Sequence, residues 1–252
     1  MAKNKLERFS DMDIFPNVFQ PVQAEVYRSD YRLKGRWAEE VFGNTHPVVL
    51  EIGCGKGEYT VGLARLYPEK NFIGIDIKGA RMWKGAKEAL DTGLKNVAFL
   101  RLYAENLERV FAPDEVDEIW ITFPDPQMSK ARKRLTGSRF VTLYSKCMKP
   151  DGIIHLKTDS NFLFRYTLEM IRTNGLPLHT DCADLYGEKG ADDRILGIRT
   201  FYEQQWLNRG KSIKYIEFST RPDAVLLEPD VEIEKDDYHS EARYMTAVRK
   251  VE

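Results

Sequence analysis

The sequence is poor in cysteine and has no long apolar run. Its 252 residues include three cysteines, at positions 54, 147 and 182, and these form no pair or Cys/His cluster with the spacing of a zinc site. No apolar run approaches the ~20 residues that cross a bilayer, and the N-terminal residues lack the apolar core of a signal peptide. We therefore expect reduced thiols, no metal, no membrane partner and a cytoplasmic location.

The sequence also lacks a net charge of either sign. Its 38 Lys and Arg residues nearly balance 39 Asp and Glu residues, which gives a formal net charge of -1. This balance argues against a protein that coats nucleic acid through bulk charge, although a local basic patch remains possible. The four histidines have no mutual spacing typical of a metal site.

Short apolar runs alternate with stretches of helical periodicity from residue 47 to about residue 218. This order predicts an α/β fold, in which helices cover both faces of a doubly wound, mostly parallel sheet. Such sheets bind ligands beyond the carboxyl ends of their strands, so the residues after each strand are the candidates for a site. The predicted strands are 48–52, 72–75, 97–100, 118–121, 153–156 and 213–218.

The chain divides into three predicted parts. Residues 1–45 form a basic and aromatic N-terminal segment, residues 46–220 form the α/β domain, and residues 221–252 form an acidic C-terminal extension. Inside the domain, the Gly-, Asp- and Arg-rich residues 184–211 predict a long loop, and residues 149–152 (KPDG) predict a turn.

A glycine-rich segment, EIGCGKG at 51–57, follows the first predicted strand. Gly53, Gly55 and Gly57 let the backbone turn tightly, and the next helix offers free N–H groups to a carboxylate such as that of a methionine. A dinucleotide-binding loop has its third glycine one residue later, and Glu51 would repel phosphates. The pattern favours a nucleoside–amino acid ligand over a nicotinamide dinucleotide; the alternative is an ordinary strand-to-helix turn.

Two further carboxylates end predicted strands. Asp76 closes the second strand, where an acidic side chain accepts hydrogen bonds from ribose hydroxyls. Asp159 follows the strand 153–156 and lies at the same rim of the sheet. For each of them the alternative is a helix N-cap, a position that Asp also favours.

A proline-flanked aspartate and a basic run follow the fourth predicted strand. Phe123-Pro124-Asp125-Pro126 predicts a stiff loop that holds Asp125 at the edge of a site; the alternative is a turn that only ends the strand. The basic run comes next, where bound phosphates would position a base for reaction; the alternative is a solvated face. The run consists of Lys130, Arg132, Lys133 and Arg134.

Together these residues resemble the tRNA (guanine-N7)-methyltransferase family, over about residues 22–218. The resemblance lies in 50–57, in 123–126, in the basic run ending at 134–136, in Thr158-Asp159 and, most specifically, in Thr200-Phe201-Tyr202-Glu203. It implies a Rossmann-like class I methyltransferase fold with seven strands. It also implies a tRNA partner and methyl transfer from S-adenosylmethionine to N7 of the guanosine at position 46, in the variable loop.

The resemblance and the chemistry of the residues together predict a role for each candidate residue. The donor would be bound by Glu51, Gly53, Gly55, Gly57, Asp76 and Asp125, and by Tyr103, Ala104 and Glu105, although Tyr103 stands where the family usually has an aspartate. Asp125 and Asp159 would be catalytic. The RNA would be bound by Lys130, Arg132, Lys133, Arg134, Asp159, Thr200, Tyr202 and Glu203.

Other functions remain open at this point. A methyltransferase for another RNA base or a small molecule would keep the glycines and Asp76 without needing the basic run. A non-catalytic tRNA-binding subunit would be expected to lose donor contacts, and the intact set of Glu51, glycines and Asp76 argues against it. The oligomeric state is not predicted.

Overall fold

The computed structural model describes residues 5–188 and 196–236 and contains one eight-stranded, mostly parallel sheet. In the order β1-β4-β3-β2-β5-β6-β8-β7, the strands from β1 to β6 run parallel, and β8 is antiparallel to both of its neighbours. The strands are β1 (Val18–Phe19), β2 (Val48–Ile52), β3 (Asn71–Asp76), β4 (Val97–Arg101), β5 (Val116–Thr122), β6 (Met148–Thr158), β7 (Leu178–Cys182) and β8 (Lys214–Ser219).

Helices connect the parallel strands, because parallel neighbours need a crossover connection. A π-helical turn at Trp37–Val41 and 3-10 turns at Ala104–Asn106 and Ala131–Lys133 complete the helical structure of the described residues. The α-helices are α1 (Lys5–Ile14), α2 (Gln23–Val26), α3 (Glu58–Leu66), α4 (Gly79–Asp91), α5 (Leu107–Val110), α6 (Ser138–Tyr144), α7 (Asn161–Asn174), α8 (Leu185–Glu188) and α9 (Phe201–Leu207).

Both faces of the sheet are buried, which explains the continuous apolar runs. Successive side chains of a strand point to opposite faces, and in β2 the neighbours Val49 and Leu50 belong to different apolar clusters. The same holds for Phe99 and Leu100 in β4. The α/β class predicted from the sequence is therefore confirmed.

The sheet has one strand more than the predicted seven. The extra strand, Val18–Phe19, pairs with β4 at the edge of the sheet, and its two residues are too few for a period to be visible in the sequence. Strand β7 is one of the seven expected strands, but the sequence pattern did not locate it. Four of its five residues are at least partly exposed, and its sequence, LHTDC, is largely polar. Both are edge strands, where burial leaves the weakest pattern.

Two predicted irregular segments are ordered elements. Residues 149–152 lie within β6, where the register against β5 shifts between Val116 and Glu118 and so accommodates the extra residues. The predicted loop 184–211 contains α8 and α9. Residues 1–4, 189–195 and 237–252, and with them parts of that loop and of both terminal segments, lie outside the described residues.

The N-terminal segment packs against the main core. Trp37 is fully buried, stacks on Phe111 and donates from its indole N–H to the carbonyl of Val110 at 3.0 Å. At the other end, residues 224–236 lie along α6 and α7, where Leu226 N–H donates to the Thr142 hydroxyl. Both segments therefore contact the α/β domain.

Candidate functional site

The glycine loop between β2 and α3 has a backbone that only glycine adopts without strain. Gly53, Gly55 and Gly57 have φ of 80°, 56° and 72°, all in the left-handed region. A Cβ on Gly57 would also lie 2.5 Å from the ring of Phe99. Substitution there would therefore require both a strained φ and movement of a buried ring.

Asp76 connects the glycine loop to the end of β3. Its carboxylate accepts hydrogen bonds from Gly55 N–H at 3.0 Å and from Lys78 N–H at 2.8 Å. Helix α4 begins at Gly79 with Lys78 as its N-cap residue, so Asp76 is not the N-cap of that helix. The simple capping alternative is thereby removed, and the carboxylate lies at the rim where a ligand would bind.

Asp76 lines a cavity of about 290 Å³ at the carboxyl ends of β2, β3 and β5, which we call the glycine-loop cavity. Its apolar walls include Ile52, Ile75, Leu135 and Phe140. This combination of apolar walls and a few polar groups suits a nucleoside. The predicted donor residues in its lining are Gly53, Asp76, Tyr103, Ala104, Glu105 and Asp125.

Glu51 lies behind the loop rather than in the lining of this cavity. Its carboxyl group is buried and accepts hydrogen bonds from the hydroxyls of Thr60 and Thr122 and from Thr60 N–H. Burial raises the pKa of Glu51 to about 7, against the lowering effect of these hydrogen bonds. The structure thus shows Glu51 bracing the glycine loop against α3 and β5, and a direct contact with a donor ammonium group stays a prediction.

The loop after β5 has a strained backbone on both sides of its aspartate. Phe123 and Gln127 have φ of 49° and 47°, which costs energy for non-glycine residues and is concentrated at functional sites. Between them, Asp125 is exposed and accepts a hydrogen bond from Gln127 N–H at 3.0 Å. The loop therefore presents this carboxylate to the glycine-loop cavity in a fixed position.

The four residues of the basic run differ in exposure. Lys130, Arg132 and Lys133 are exposed on or beside the 3-10 turn, and Lys133 lines the glycine-loop cavity. Arg134 is buried and binds groups of the protein itself, so its predicted contact with RNA stays a prediction. Its guanidinium donates to the carbonyls of residues 127 (3.3 Å) and 128 (2.9 Å), pairs with Glu228 and lies over two aromatic rings.

Asp159 is buried at the end of β6, and neither of its carboxylate oxygens has a hydrogen-bond partner among the described residues. The N-cap of α7 is Ser160, whose hydroxyl accepts from Leu163 N–H at 3.0 Å, so capping does not explain Asp159. Burial raises the pKa of Asp159 despite nearby Lys211 and Lys214. The side chain lines a second cavity of about 460 Å³, the Asp159 cavity, which shares no lining residue with the first.

The segment Thr200–Glu203 begins α9 as a capping box, in which Thr200 and Glu203 each accept from the other's backbone N–H. The predicted loop is a helix here, and Glu203, for which RNA binding stays a prediction, is fully buried. Its carboxylate pairs with Lys157 Nζ at 2.7 Å and accepts from the Tyr186 hydroxyl at 2.5 Å. With its acceptors occupied in this way, Glu203 anchors the segment, and Tyr202 is half-buried beside it.

The same segment touches the glycine loop. Phe201 N–H donates to Glu58 at 2.9 Å, and the Lys56 ammonium lies 3.8 Å from the centre of the Phe201 ring. Glu58 and Lys56 flank Gly57, so the start of α9 lies against the loop expected to bind the donor. The segment Thr200–Glu203 and the glycine loop therefore contact each other.

Comparison with known proteins identifies the family. A family model described as "Putative methyltransferase" matches residues 45–216. A protein of Bacteroides thetaiotaomicron named tRNA (guanine-N(7)-)-methyltransferase is 59% identical over 240 residues, which is 95% of each chain. A protein of Lactococcus lactis with the same name is 35% identical over 75% of this chain and 87% of its own.

The chain belongs to the tRNA (guanine-N7)-methyltransferase family.

Solved structures show the same fold at low sequence identity. The 16S rRNA methyltransferase KamB superposes with a TM-score of 0.57 at 17% identity, over 73% of this chain and 92% of its own. A 16S rRNA (adenine(1408)-N(1))-methyltransferase from Catenulisporales acidiphilia superposes with a TM-score of 0.53 at 14% identity, over 79% and 93%. The predicted Rossmann-like class I methyltransferase fold is thus confirmed.

The described residues were expected to bind no metal and to cross no membrane. Among the described residues no group of three or more His, Cys, Asp and Glu side chains could hold a metal ion. No helix in the described part of the chain has the length and apolar character needed to cross a membrane.

Sequence reasoning missed several side chains of this methyltransferase that surround the candidate residues. Lys157 lies inside an apolar strand and Tyr186 in the predicted loop, so nothing local pointed to their pairing with Glu203. Lys211 and Lys214 border the Asp159 cavity, but they stand apart from the basic run and resemble ordinary surface cations in the sequence. Only tertiary structure brings these groups together.

Proposed function

We propose that this methyltransferase transfers a methyl group from S-adenosylmethionine to N7 of a guanine in tRNA, at position 46 of the variable loop. The observation that carries the proposal is the buried carboxylate of Asp159, which has no hydrogen-bond partner among the described residues, in a chain whose relatives are named tRNA (guanine-N(7)-)-methyltransferase. A buried carboxylate without donors is costly. Guanine supplies the missing donors through N1–H and its exocyclic amine, whereas adenine lacks this pair.

The glycine-loop cavity suits the donor. Its apolar walls accommodate an adenine ring, Asp76 lies where ribose hydroxyls need an acceptor, and the backbone at Gly53 lines the space beside them. S-adenosylmethionine supplies an electrophilic methyl group when bound. Asp125 lines the same cavity and is exposed, so its carboxylate can contact the bound donor or a base brought next to it.

Methylation at N7 makes modest chemical demands on the protein. N7 carries an in-plane lone pair, so no general base is required and the side chains need only align the reactants. Such alignment contributes roughly 7–11 kcal/mol to barrier lowering. The purine gains positive charge as the bond to N7 forms, and negative charge on the carboxyl groups of Asp125 and Asp159 would stabilise it.

The test is incubation of the protein with methyl-labelled S-adenosylmethionine and unmodified tRNA transcript, followed by nucleoside analysis. We expect label in 7-methylguanosine, and none when adenosine replaces guanosine 46. Label in another nucleoside would contradict the base assignment. Label in 7-methylguanosine from both transcripts would contradict only the position, and no label would favour a non-catalytic RNA-binding protein.

A further inference from the structure

The segment 226–236 is held on the domain by two carboxylates. Glu228 accepts hydrogen bonds from the hydroxyls of Tyr166 and Ser138, each at 2.7 Å, and pairs with Arg134. Leu227 also binds the last residue of α7. Its backbone N–H donates to the side-chain oxygen of Asn174 at 2.7 Å, and its carbonyl accepts from the side-chain amide of Asn174 at 2.9 Å. We call residues 226–236 the C-terminal strap.

The far end of the strap fixes the turn that carries Asp159. Asp236 accepts from the Ser160 hydroxyl at 2.6 Å, and both of its oxygens lie 3.0 Å from Phe162 N. Ser160 in turn caps α7 through Leu163 N–H. Asp236 therefore binds Ser160 and Phe162, at the start of α7 and directly after Asp159.

The strap also forms a wall of the Asp159 cavity. Glu234, Lys235 and Asp236 line it together with residues of α7 and of the loop before β8. At about 460 Å³ the cavity is of the size that holds a small ligand such as a nucleotide.

The chemistry of the lining fits a nucleotide of RNA. Arg165, Lys211 and Lys214 contribute positive charge beside the carboxylate of Asp159. Lys214 is itself buried, with its ammonium 3.3 Å from the carbonyl oxygen of Asp159, and burial lowers its pKa. Cations for a phosphate and an acceptor for a base edge thus lie in one space.

We propose that the C-terminal strap is part of the substrate site, with Asp236 as a positioning residue that holds the Asp159 turn and closes the cavity around the target guanosine. This inference rests on the proposed function, because it takes Asp159 as the acceptor for guanine. It adds a role for a segment that the sequence resemblance did not cover.

The test compares Asp236→Ala with Glu232→Ala in the full chain. Glu232 is an exposed carboxylate of the same strap, so its removal makes the same charge change. For D236A we expect a single-turnover rate on tRNA lower by about tenfold or more, since small misplacements near the reacting group carry such costs. Affinity for S-adenosylhomocysteine should stay within about twofold of the parent, because donor residues lie in the other cavity.

Conservative replacement separates positioning from stability. Asp236→Asn keeps an acceptor for Phe162 N–H and should recover part of the rate; it also carries the test if D236A does not fold. A purely structural strap predicts a lower melting temperature with a parental rate measured well below it, and that result would overturn the proposal. Tighter tRNA binding by D236A would also overturn it, because the strap would then compete with RNA. An inactive parent would refute the proposed function instead.

Discussion

The buried pair of Lys157 and Glu203 gives the sharpest test of how the site is held together. Both side chains have no exposed surface, and Lys157 also donates to the carbonyls of Leu196 at 2.7 Å and Ile198 at 3.2 Å. Glu203→Gln would remove the carboxylate that pairs with this buried ammonium. Breaking a buried ion pair in this way typically costs about 3–5 kcal/mol.

For a chain of this size, about 1 kcal/mol corresponds to about 2–4 °C in melting temperature. We therefore expect E203Q to melt about 6–20 °C below the parent, as followed by circular dichroism. Lys157→Met combined with E203Q should recover part of the loss, because it removes the buried ammonium as well. Gln204→Ala, on the exposed side of the same helix, is the matched control and should melt within about 2 °C of the parent.

The opposite outcome would support the role predicted from the sequence. If E203Q melted like the parent but methylated tRNA much more slowly, Glu203 would be acting on the substrate. The assignment of Glu203 as the residue that anchors the segment Thr200–Glu203 would then be refuted.

Three further predictions concern the donor, the basic run and Glu51. Asp76→Ala should weaken S-adenosylhomocysteine binding by about tenfold or more in calorimetry, since each hydrogen bond to a charged group contributes about 1.5–3 kcal/mol; parental affinity in a folded variant would contradict the ribose assignment. Lys130→Ala with Arg132→Ala should make the log–log salt dependence of tRNA binding shallower by up to ~0.9 per contact. Arg134→Ala should instead lower the melting temperature, and the reverse pattern would refute the division of the run. Because the folded pKa of Glu51 is raised to about 7 from 4.5, the stability it contributes is complete below pH 4.5 and is lost as pH rises through about 7. Relative to the parent, Glu51→Gln should therefore gain up to about 3 kcal/mol in urea unfolding between those limits, and a pH-independent difference would contradict the raised pKa.

The sequence predicted the parts of the fold that local patterns encode. Buried parallel strands such as β2 are continuous apolar runs, and the glycines at 53, 55 and 57 are required by their left-handed backbone. The edge strands β1 and β7 escaped notice because one is two residues long and the other is largely polar. The resemblance to the family is confirmed, whereas the roles of the individual site residues stay predictions.

What the sequence could not predict was which charged groups are buried. Arg134 looks like its neighbours Arg132 and Lys133, but the rings of Phe162 and Tyr166 and the strap carboxylate of Glu228 enclose it. These partners lie 28 or more positions further along the chain, so no local pattern reveals them. The pairing of Glu203 with Lys157 escaped prediction for the same reason.

The rate of a single turnover by Asp159→Asn tests the central claim most directly, namely that the buried carboxylate of Asp159 binds the guanine. Asparagine keeps the size of the side chain but loses the charge and presents an amide N–H₂ towards the base. With donor and tRNA saturating, we predict a turnover slower by about tenfold or more, on the order of 1.4 kcal/mol in barrier. We also predict an undiminished melting temperature, because the variant no longer buries a charge without partners. A stable variant that methylates tRNA at the parental rate would contradict the claim.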